Sequence, residues 1–275
     1  MFNEKIIPLD KWVEKAVNFL VDHYREIFQS IKFPIEKTLN GVNFLFHYVN
    51  PAVIILIIAL IAYKVNGIKL SIFSILSLVL LGLLGLWDET MTTLSMVVVS
   101  VLFCVLIGIP LGILSGKSKR FEAIFRPFLD AMQTTPAFVY LIPVVMLFSI
   151  GTVSGVIATI IFALPPIVRL TSLGIKLVDK ELVEAGIAFG ATPWQLLIKV
   201  QLPQALPSIM AGLNQTIMMS LSMVVIAALI GAGGLGVPVV RGLNNLNIGL
   251  ASIGGLGIVL MAIILDRITQ SFGKK

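Results

Sequence analysis

Residues 179–207 have the sequence DKELVEAGIAFGATPWQLLIKVQLPQALP, the one long polar stretch in an otherwise apolar second half of the chain. Its spacing predicts two short helices that lie in the cytoplasm. Asp179 fits the N-cap of the first helix, and Glu181 places an acidic group beside the positive end of the helix dipole. Gly190 lies where a C′ glycine would end that helix.

The second helix should begin almost at once. Thr192 can be its N-cap, Pro193 suits the first helical position, and Gln195 completes a capping box. Pro203 and Pro207 are expected to end it, because proline lacks the N–H that a helix interior needs. One face of the pair is apolar, which predicts docking on a partner; an ordinary hairpin between two membrane spans is the alternative. The apolar face comprises Leu182, Val183, Ala185, Phe189, Trp194, Leu197 and Val200.

The composition is that of a membrane protein. Hydrophobic residues make up 57% of the 275 residues and charged residues 12%, with a mean hydropathy of +1.02. Soluble domains average about 25% charged residues. The single cysteine, Cys104, excludes a disulfide framework, and His23 and His47 are too far apart in the chain to suggest a metal site. We therefore predict an all-α polytopic membrane protein without a bound metal.

Seven stretches are apolar enough, over about 20 residues each, to cross a bilayer. They are residues 44–63, 68–87, 91–115, 127–149, 152–174, 208–231 and 249–268. Asn50 and Pro51 interrupt the first stretch. Pro165 and Pro166 are expected to break the fifth helix and to produce a kink or hinge there.

Basic residues cluster in alternate turns and at the C-terminus, whereas Asp88 and Glu89 lie in an opposite turn. Because cytoplasmic loops are rich in Lys and Arg, this predicts an N-terminus outside, a C-terminus inside and a cytoplasmic loop at residues 176–207. Residues 1–43 would form an extracytoplasmic tail ahead of a transmembrane domain at residues 44–275. Apolar residues at helical spacing in the tail suit either an amphipathic helix in the membrane interface or a helix packed on the protein's own outer surface.

No group of residues suggests an enzyme, a cofactor site or a nucleic-acid interface. The spans lack Ser/His/Asp, Cys/His and paired-carboxylate arrangements. GILSGKS at residues 112–118 has three rather than four residues between its glycines and follows an apolar stretch, so it is not a phosphate-binding loop. The chain is therefore not expected to bind ATP itself. Asp130 and Arg169 could form an ion pair between the fourth and fifth spans.

Two polar clusters lie within the predicted spans. They are Gln133, Thr134 and Thr135 in the fourth span, and Asn214, Gln215 and Thr216 in the sixth. Because polar side chains in a span face protein or a water-filled cavity, the clusters could line a translocation path or bond helix to helix. The glycine-rich segment GAGGLG, residues 231–236, allows close helix packing or a moving gate, and packing is favoured.

The polar stretch resembles the EAA loop of permease subunits of ATP-binding-cassette (ABC) importers: EAA, three residues, G, nine residues, I, one residue and LP. The matching positions are Glu184, Ala185, Gly186, Gly190, Val200, Leu202 and Pro203. Two of them depart from the motif, since Gly186 replaces the second alanine and Val200 the isoleucine. The resemblance implies that this loop binds in a groove of a separate ATPase subunit. Glu184 would make a polar contact there, and Gly190 would form the turn.

Other stretches are similar to permease subunits of glycine betaine/proline betaine importers over roughly residues 87–270. They are MQTTPAFVYLIPVVMLFSIG, FALPPIVRLTSLGIK, KVQLPQALPSIMAGLNQTIMMSLSMVVIAALIGAGGLG and LDRITQ. The resemblance implies the type I ABC importer fold in a bacterial or archaeal cytoplasmic membrane. It also implies contact with lipid, a permease homodimer, two ATPase subunits that bind ATP and magnesium, and an extracytoplasmic substrate-binding protein. The transported solute would be a quaternary-ammonium osmolyte, carried by alternating access.

Two alternatives stay open at this point. The chain could serve an importer for another amine or amino acid, such as choline, carnitine or methionine. It could also be a passive channel opened by osmotic change, although the docking helices would then have no purpose.

Overall fold

The computed structural model describes residues 8–272, and within that range the chain consists of helices, with no strand. The first six are α1 (Leu9–Tyr48), α2 (Pro51–Asn66), α3 (Ile68–Leu83), α4 (Trp87–Lys117), α5 (Lys119–Thr134) and α6 (Ala137–Phe148). There follow α7 (Thr152–Lys176), α8 (Lys180–Ala188), α9 (Pro193–Leu196), a π-helical turn (Leu197–Gln201), α10 (Leu202–Ala228), α11 (Gly236–Asn244) and α12 (Ile248–Phe272). The predicted all-α class is confirmed.

Helix α7 lies at the centre of the molecule, between α4 and α10, and more than half of its residues are buried. Three glycines of α4, Gly108, Gly112 and Gly116, face it at intervals of four residues. A Cβ added at Gly108 would lie 2.4 Å from Ile167 Cγ2, and one at Gly112 would lie 2.5 Å from Thr171 Cβ. Small residues at this spacing let membrane helices approach closely. The glycines of GILSGKS therefore serve helix packing.

Helices α7 and α10 approach each other in the same way. A Cβ added at Gly174 of α7 would lie 3.0 Å from Ala205 Cβ of α10. One added at Gly212 of α10 would lie 3.1 Å from Ile167 Cα of α7. Small residues on both helices thus hold α4, α7 and α10 together as one rigid core.

Two of the predicted spans are not continuous helices. Helices α1 and α2 meet at a bend of 107°, and α5 and α6 meet at a bend of 102°. Residues 44–63 and 127–149 cross these bends, so each of these two predicted spans is a bent pair of helices rather than one straight helix. Each break lies just before a proline, because a residue that precedes proline is sterically pushed out of the helical region. Accordingly, ψ is 133° at Asn50 and 127° at Thr135.

Within the described residues, four helices are long and apolar enough to cross a membrane, and six spans result if each bent pair counts as one. The four are α4, α7, the continuous helix Pro193–Ala228 and α12. They correspond to the predicted stretches 91–115, 152–174, 208–231 and 249–268. The predicted stretch 68–87 corresponds to α3, which is apolar but only 16 residues long.

Helix α7 runs without a break through Pro165 and Pro166, so the predicted break is wrong. Neighbouring helices supply hydrogen-bond donors to this part of the backbone. Thr216 Oγ1 of α10 donates to the Ala163 carbonyl at 3.1 Å, and Cys104 Sγ of α4 lies 3.7 Å from the Ile160 carbonyl. These bonds flank the two carbonyls that Pro165 and Pro166 leave without a helical donor, which are those of Ile161 and Phe162. The helix stays continuous in its close packing between α4 and α10.

Helix α1 differs between its two halves. Its second half packs on the core, with Ile35 and Leu39 buried and the Phe28 ring 5.8 Å from the ring of Phe148. Its first half leaves apolar side chains such as Trp12 exposed. The helix continues beyond residue 43 and ends at Tyr48.

The glycine-rich segment after α10 packs on α4. Gly234 has a φ of +77°, and a Cβ there would lie 2.5 Å from Thr93 Oγ1. The Leu235 N–H donates to the same hydroxyl at 2.8 Å. This contact supports the packing interpretation of GAGGLG.

Candidate functional site

The first helix of the polar stretch is α8, and it forms as its end signals predict. The Asp179 carboxylate accepts from the Glu181 N–H at 3.0 Å. At the other end, Gly190 has a φ of +78°, and the Ala191 N–H donates to the Gly186 carbonyl at 3.0 Å. The predicted glycine-terminated helix end is confirmed.

The second helix begins with a complete capping box. The Gln195 N–H donates to Thr192 Oγ1 at 3.3 Å, and the Thr192 N–H donates to Gln195 Oε1 at 2.9 Å. The helix does not end at Pro203 or Pro207, so that prediction is wrong. The π-helical turn Leu197–Gln201 rearranges the hydrogen bonds just ahead of Pro203, and the chain continues as α10.

The two helices pack on each other at Gly186. A Cβ there would lie 2.7 Å from Leu196 Cδ1, so the alanine usual at this motif position would push the leucine side chain away. The departure of this chain from the EAA pattern therefore has a local packing reason. We call residues 180–196, which comprise α8, α9 and the turn between them, the docking segment.

The docking segment exposes large apolar side chains. Phe189 is 92% exposed and Trp194 is 68% exposed, and Leu182 and Ala185 are exposed as well. Aromatic side chains exposed to this degree are typical of a surface that a partner covers. The acidic side chain of Glu184 is exposed on the same helix.

The rest of the predicted apolar face anchors the segment instead. Leu197 is buried, and Val183 and Val200 are half-buried. Leu202 begins α10, and its N–H donates to the Leu197 carbonyl, so the docking segment is joined to the core through continuous helix with Pro203 in the first turn of α10.

The polar cluster of α10 is largely used in bonds between helices. The Asn214 amide donates to Asp266 Oδ1 at 3.0 Å and accepts from Thr269 Oγ1 at 2.6 Å, which ties α10 to α12. Thr216 is buried and bonded to α7. Gln215 is exposed and lines a cleft of about 290 Å³.

The polar cluster of the fourth predicted span lies at the bend between α5 and α6. Thr134 Oγ1 donates to the Asp130 carbonyl at 2.9 Å, and Thr135 Oγ1 donates to the Ala131 carbonyl at 2.7 Å. Gln133 is half-buried beside them. No hydrogen bond between described residues joins this cluster to that of α10.

Two ion pairs connect α5 with α7. The predicted pair between Asp130 and Arg169 is present, and a second pair, which sequence reasoning missed, joins Glu122 to Lys176. The spacing of the charges could have predicted it. Glu122 and Asp130 are eight residues apart on α5, and their partners on α7 are seven residues apart in the reverse order, as antiparallel helices require. No cluster of His, Cys, Asp and Glu suited to a metal occurs among residues 8–272.

Residues 108–275 match the family described as binding-protein-dependent transport system inner membrane component. The chain is 52% identical over 273 residues to the glycine betaine/proline betaine transport system permease protein ProW of Escherichia coli (strain K12), covering 99% of this chain and 77% of that protein. It is 47% identical over 279 residues to the glycine betaine/carnitine transport permease protein GbuB of Listeria monocytogenes serotype 1/2a (strain 10403S), covering 100% and 99%. The resemblance to permeases of betaine importers is confirmed.

Solved structures show the same architecture. The MetNI methionine ABC transporter in an inward-facing conformation matches with a TM-score of 0.59 and 25% identity, over 66% of this chain and 93% of that one. An amino acid ABC transporter with histidines matches with a TM-score of 0.56 and 21% identity, over 66% and 89%, and supports the fold alone. The fold is that of a type I ABC importer permease, and the chain belongs to the family of inner membrane permease components of binding-protein-dependent transport systems.

Proposed function

We propose that this chain is the transmembrane permease subunit of an ATP-driven importer of glycine betaine or related compatible solutes. The observation that carries the proposal is the docking segment, whose exposed Phe189 and Trp194 are held by capped helices on an extension of the core helix α10. The names of the relatives support the solute, since two similar permeases are described for glycine betaine and one of them also for carnitine.

The docking segment binds a groove of a separate ATPase subunit. Phe189 and Trp194 supply the apolar contact, Glu184 supplies a polar one, and Ala185 lies on the exposed side of the same helix. When ATP binding closes the ATPase pair, the groove moves and carries α8 and α9 with it. Because α9 continues into α10, the movement reaches the core and reopens the spans toward the outside; hydrolysis resets them.

The complete importer contains two copies of this permease and two ATPase subunits, which hold ATP and magnesium. An extracytoplasmic binding protein delivers the solute and selects it. The part of this chain in the importer is to provide the path and to change its accessibility.

The translocation path passes the bend between α5 and α6, at residues 133–135, and the exposed Gln215 of α10. Asn214 and Thr216, which are bonded to neighbouring helices, hold the frame of the path. A pair of polar clusters offers weak hydrogen bonding rather than a tight site, which suits a subunit that receives its solute from a binding protein.

We also propose that the apolar helix α3 adds a seventh crossing to the six counted with each bent pair as one, so that the N-terminus lies outside the cell membrane and the C-terminus in the cytoplasm. The bend of 107° turns α1 almost perpendicular to α2. If α2 crosses the bilayer, α1 then runs along its outer surface, where Trp12 and other exposed apolar side chains can enter the interface.

Co-purification tests the docking surface. The tagged chain is extracted in mild detergent from its native membrane, alone or with Phe189→Ala and Trp194→Ala together. Truncating one central aromatic anchor weakens an interface by about 2 kcal/mol, or about 30-fold in Kd, so the double variant should bind the ATPase about 900-fold more weakly if the two losses add. Ile248→Ala, which trims an exposed apolar side chain outside the docking segment, is the matched control. An ATPase retained equally by the double variant would refute the docking surface.

Transport assays test the solute and the mechanism. Uptake of labelled glycine betaine is measured in the presence of choline, carnitine or methionine, and the solute that competes most strongly identifies the substrate. Flux through the pure chain in liposomes without ATP would instead support a passive channel.

A further inference from the structure

A charged cleft of about 240 Å³ lies between α5 and the last turns of α7, close to the end of α4. Arg126 and Glu122 of α5 and Arg169 and Lys176 of α7 line it. Glu122 is paired with Lys176, and Arg169 with Asp130, so two ion pairs bound the cleft. Three cations face two carboxylates, and the cleft carries a net positive charge.

Two polar groups in this cleft have no protein partner within the described part of the chain. Arg126 lies midway between Glu122 and Asp130 along α5, and no carboxylate lies within 4.0 Å of its guanidinium. Ser172 is 6% exposed, and its Oγ makes no hydrogen bond. A buried hydroxyl left without a partner is unfavourable by about 1–3 kcal/mol. Its donor is therefore free for a ligand that enters the cleft.

We propose that this cleft binds a phosphate-bearing anion. The planar guanidinium of Arg126 matches two phosphate oxygens, and the Ser172 hydroxyl can donate to a third. Arg169 and Lys176 add positive charge without leaving their carboxylate partners. Aliphatic side chains, including Val168 and Leu173, line the same cleft and lower the competition from water.

The phosphate has two possible sources: the headgroup of an anionic phospholipid, or free inorganic phosphate. The cleft lies at the end of α7 from which the docking segment starts, since α8 begins at Lys180 and Lys176 lies just before it. The occupant therefore contacts the same end of α7 that holds the docking segment. Binding at this cleft does not depend on which solute the protein carries.

Binding is measured on the full chain in nanodiscs. For the lipid source, the chain is placed in discs of phosphatidylcholine with added phosphatidylglycerol and is then released gently from them. Native mass spectrometry counts the phosphatidylglycerol molecules that stay bound to it. For the free anion, inorganic phosphate is added to discs of phosphatidylcholine alone, and thermal unfolding is compared with that in chloride at equal ionic strength. Arg126→Gln removes the unpaired cation, Ser172→Ala removes the buried hydroxyl, and Lys119→Gln removes a cation of α5 outside the cleft.

The wild type should retain one of the two probes, which identifies the source. Arg126→Gln should weaken binding about tenfold and Ser172→Ala about fivefold, whereas Lys119→Gln should bind as the wild type does. If Arg126→Gln fails to fold, the Ser172→Ala result decides. The proposal is overturned if the wild type retains neither probe, or if the cleft variants and Lys119→Gln bind equally. Because no step measures transport, this outcome is separate from failure of the proposed importer function.

Discussion

Replacing Gly190 by valine perturbs the turn of the docking segment and leaves the core untouched. The glycine has a φ of +78°, and nothing lies within 4 Å of an added Cβ, so the side chain has room and the cost is conformational. A positive φ costs an L-residue roughly 1–2 kcal/mol, and a β-branched side chain fits that region worst.

Few other interactions stabilise this turn, so the conformational penalty acts on it directly. The Gly190 N–H donates to the Ile187 carbonyl at 2.9 Å, and the Ala191 N–H donates to the Gly186 carbonyl at 3.0 Å. A penalty of about 1–2 kcal/mol lowers the population of this turn about 5–30-fold relative to its alternatives. Helices α4, α7 and α10 lie elsewhere and keep the variant folded.

We expect Gly190→Val to insert into the membrane and to melt at the same temperature as the wild type, while ATP-dependent uptake in proteoliposomes falls by up to about 5–30-fold. Gly190→Asn is the matched control, because asparagine tolerates positive φ and ends helices in place of glycine. It should keep most of the uptake. Normal uptake by the valine variant, or equal loss in both variants, would show that the conformation of this turn does not control coupling.

Three other predictions concern the core. Gly112→Ala overpacks the contact with α7 and should lower the free energy of unfolding by about 1–3 kcal/mol. The control is Gly255→Ala, whose added Cβ meets nothing within 4 Å. Equal melting temperatures of the two variants would contradict the packing role of Gly112. Thr216→Val removes one hydrogen bond between α10 and α7 at nearly constant side-chain volume. It should lower the free energy of unfolding by about 1 kcal/mol, and an unchanged value would show that this hydroxyl does not stabilise the helix contact. A double-mutant cycle of Asp130→Ala and Arg169→Ala should give a coupling free energy of about 0.2–1 kcal/mol in folding stability, because both side chains are substantially exposed. This coupling should decrease as salt is added, and a larger value that does not depend on salt would contradict the prediction.

Signals that act within one turn of helix could be predicted from the sequence. The caps at Asp179 and Thr192 and the glycine end at Gly190 depend on neighbours a few residues away, so composition and spacing were enough. The EAA-like spacing likewise predicts a partner-binding loop at the docking segment, whose aromatic side chains are exposed.

Features that depend on tertiary contacts could not be predicted in this way. The prolines of α7 are expected to break their helix, yet α7 stays continuous where α4 and α10 pack closely on it. The π-helical turn ahead of Pro203 allows a continuous helix where local propensity predicts an end. The bond between Asn214 and Asp266 joins residues that only the packing of α10 on α12 brings together. A polar residue in a span is visible in the sequence, whereas its partner is not.

The continuity of helix from Pro193 to Ala228 gives the molecule a lever arm. Its 36 residues, at 1.5 Å each, make a rod about 54 Å long. In the proposed importer, a tilt of this rod by about 10° in the ATPase groove would displace its far end by about 9 Å, together with α4 and α7, which pack on α10. The π-helical turn interrupts the regular hydrogen bonding of this rod, and in the proposed importer its stiffness would set how much of the movement reaches the far side of the membrane.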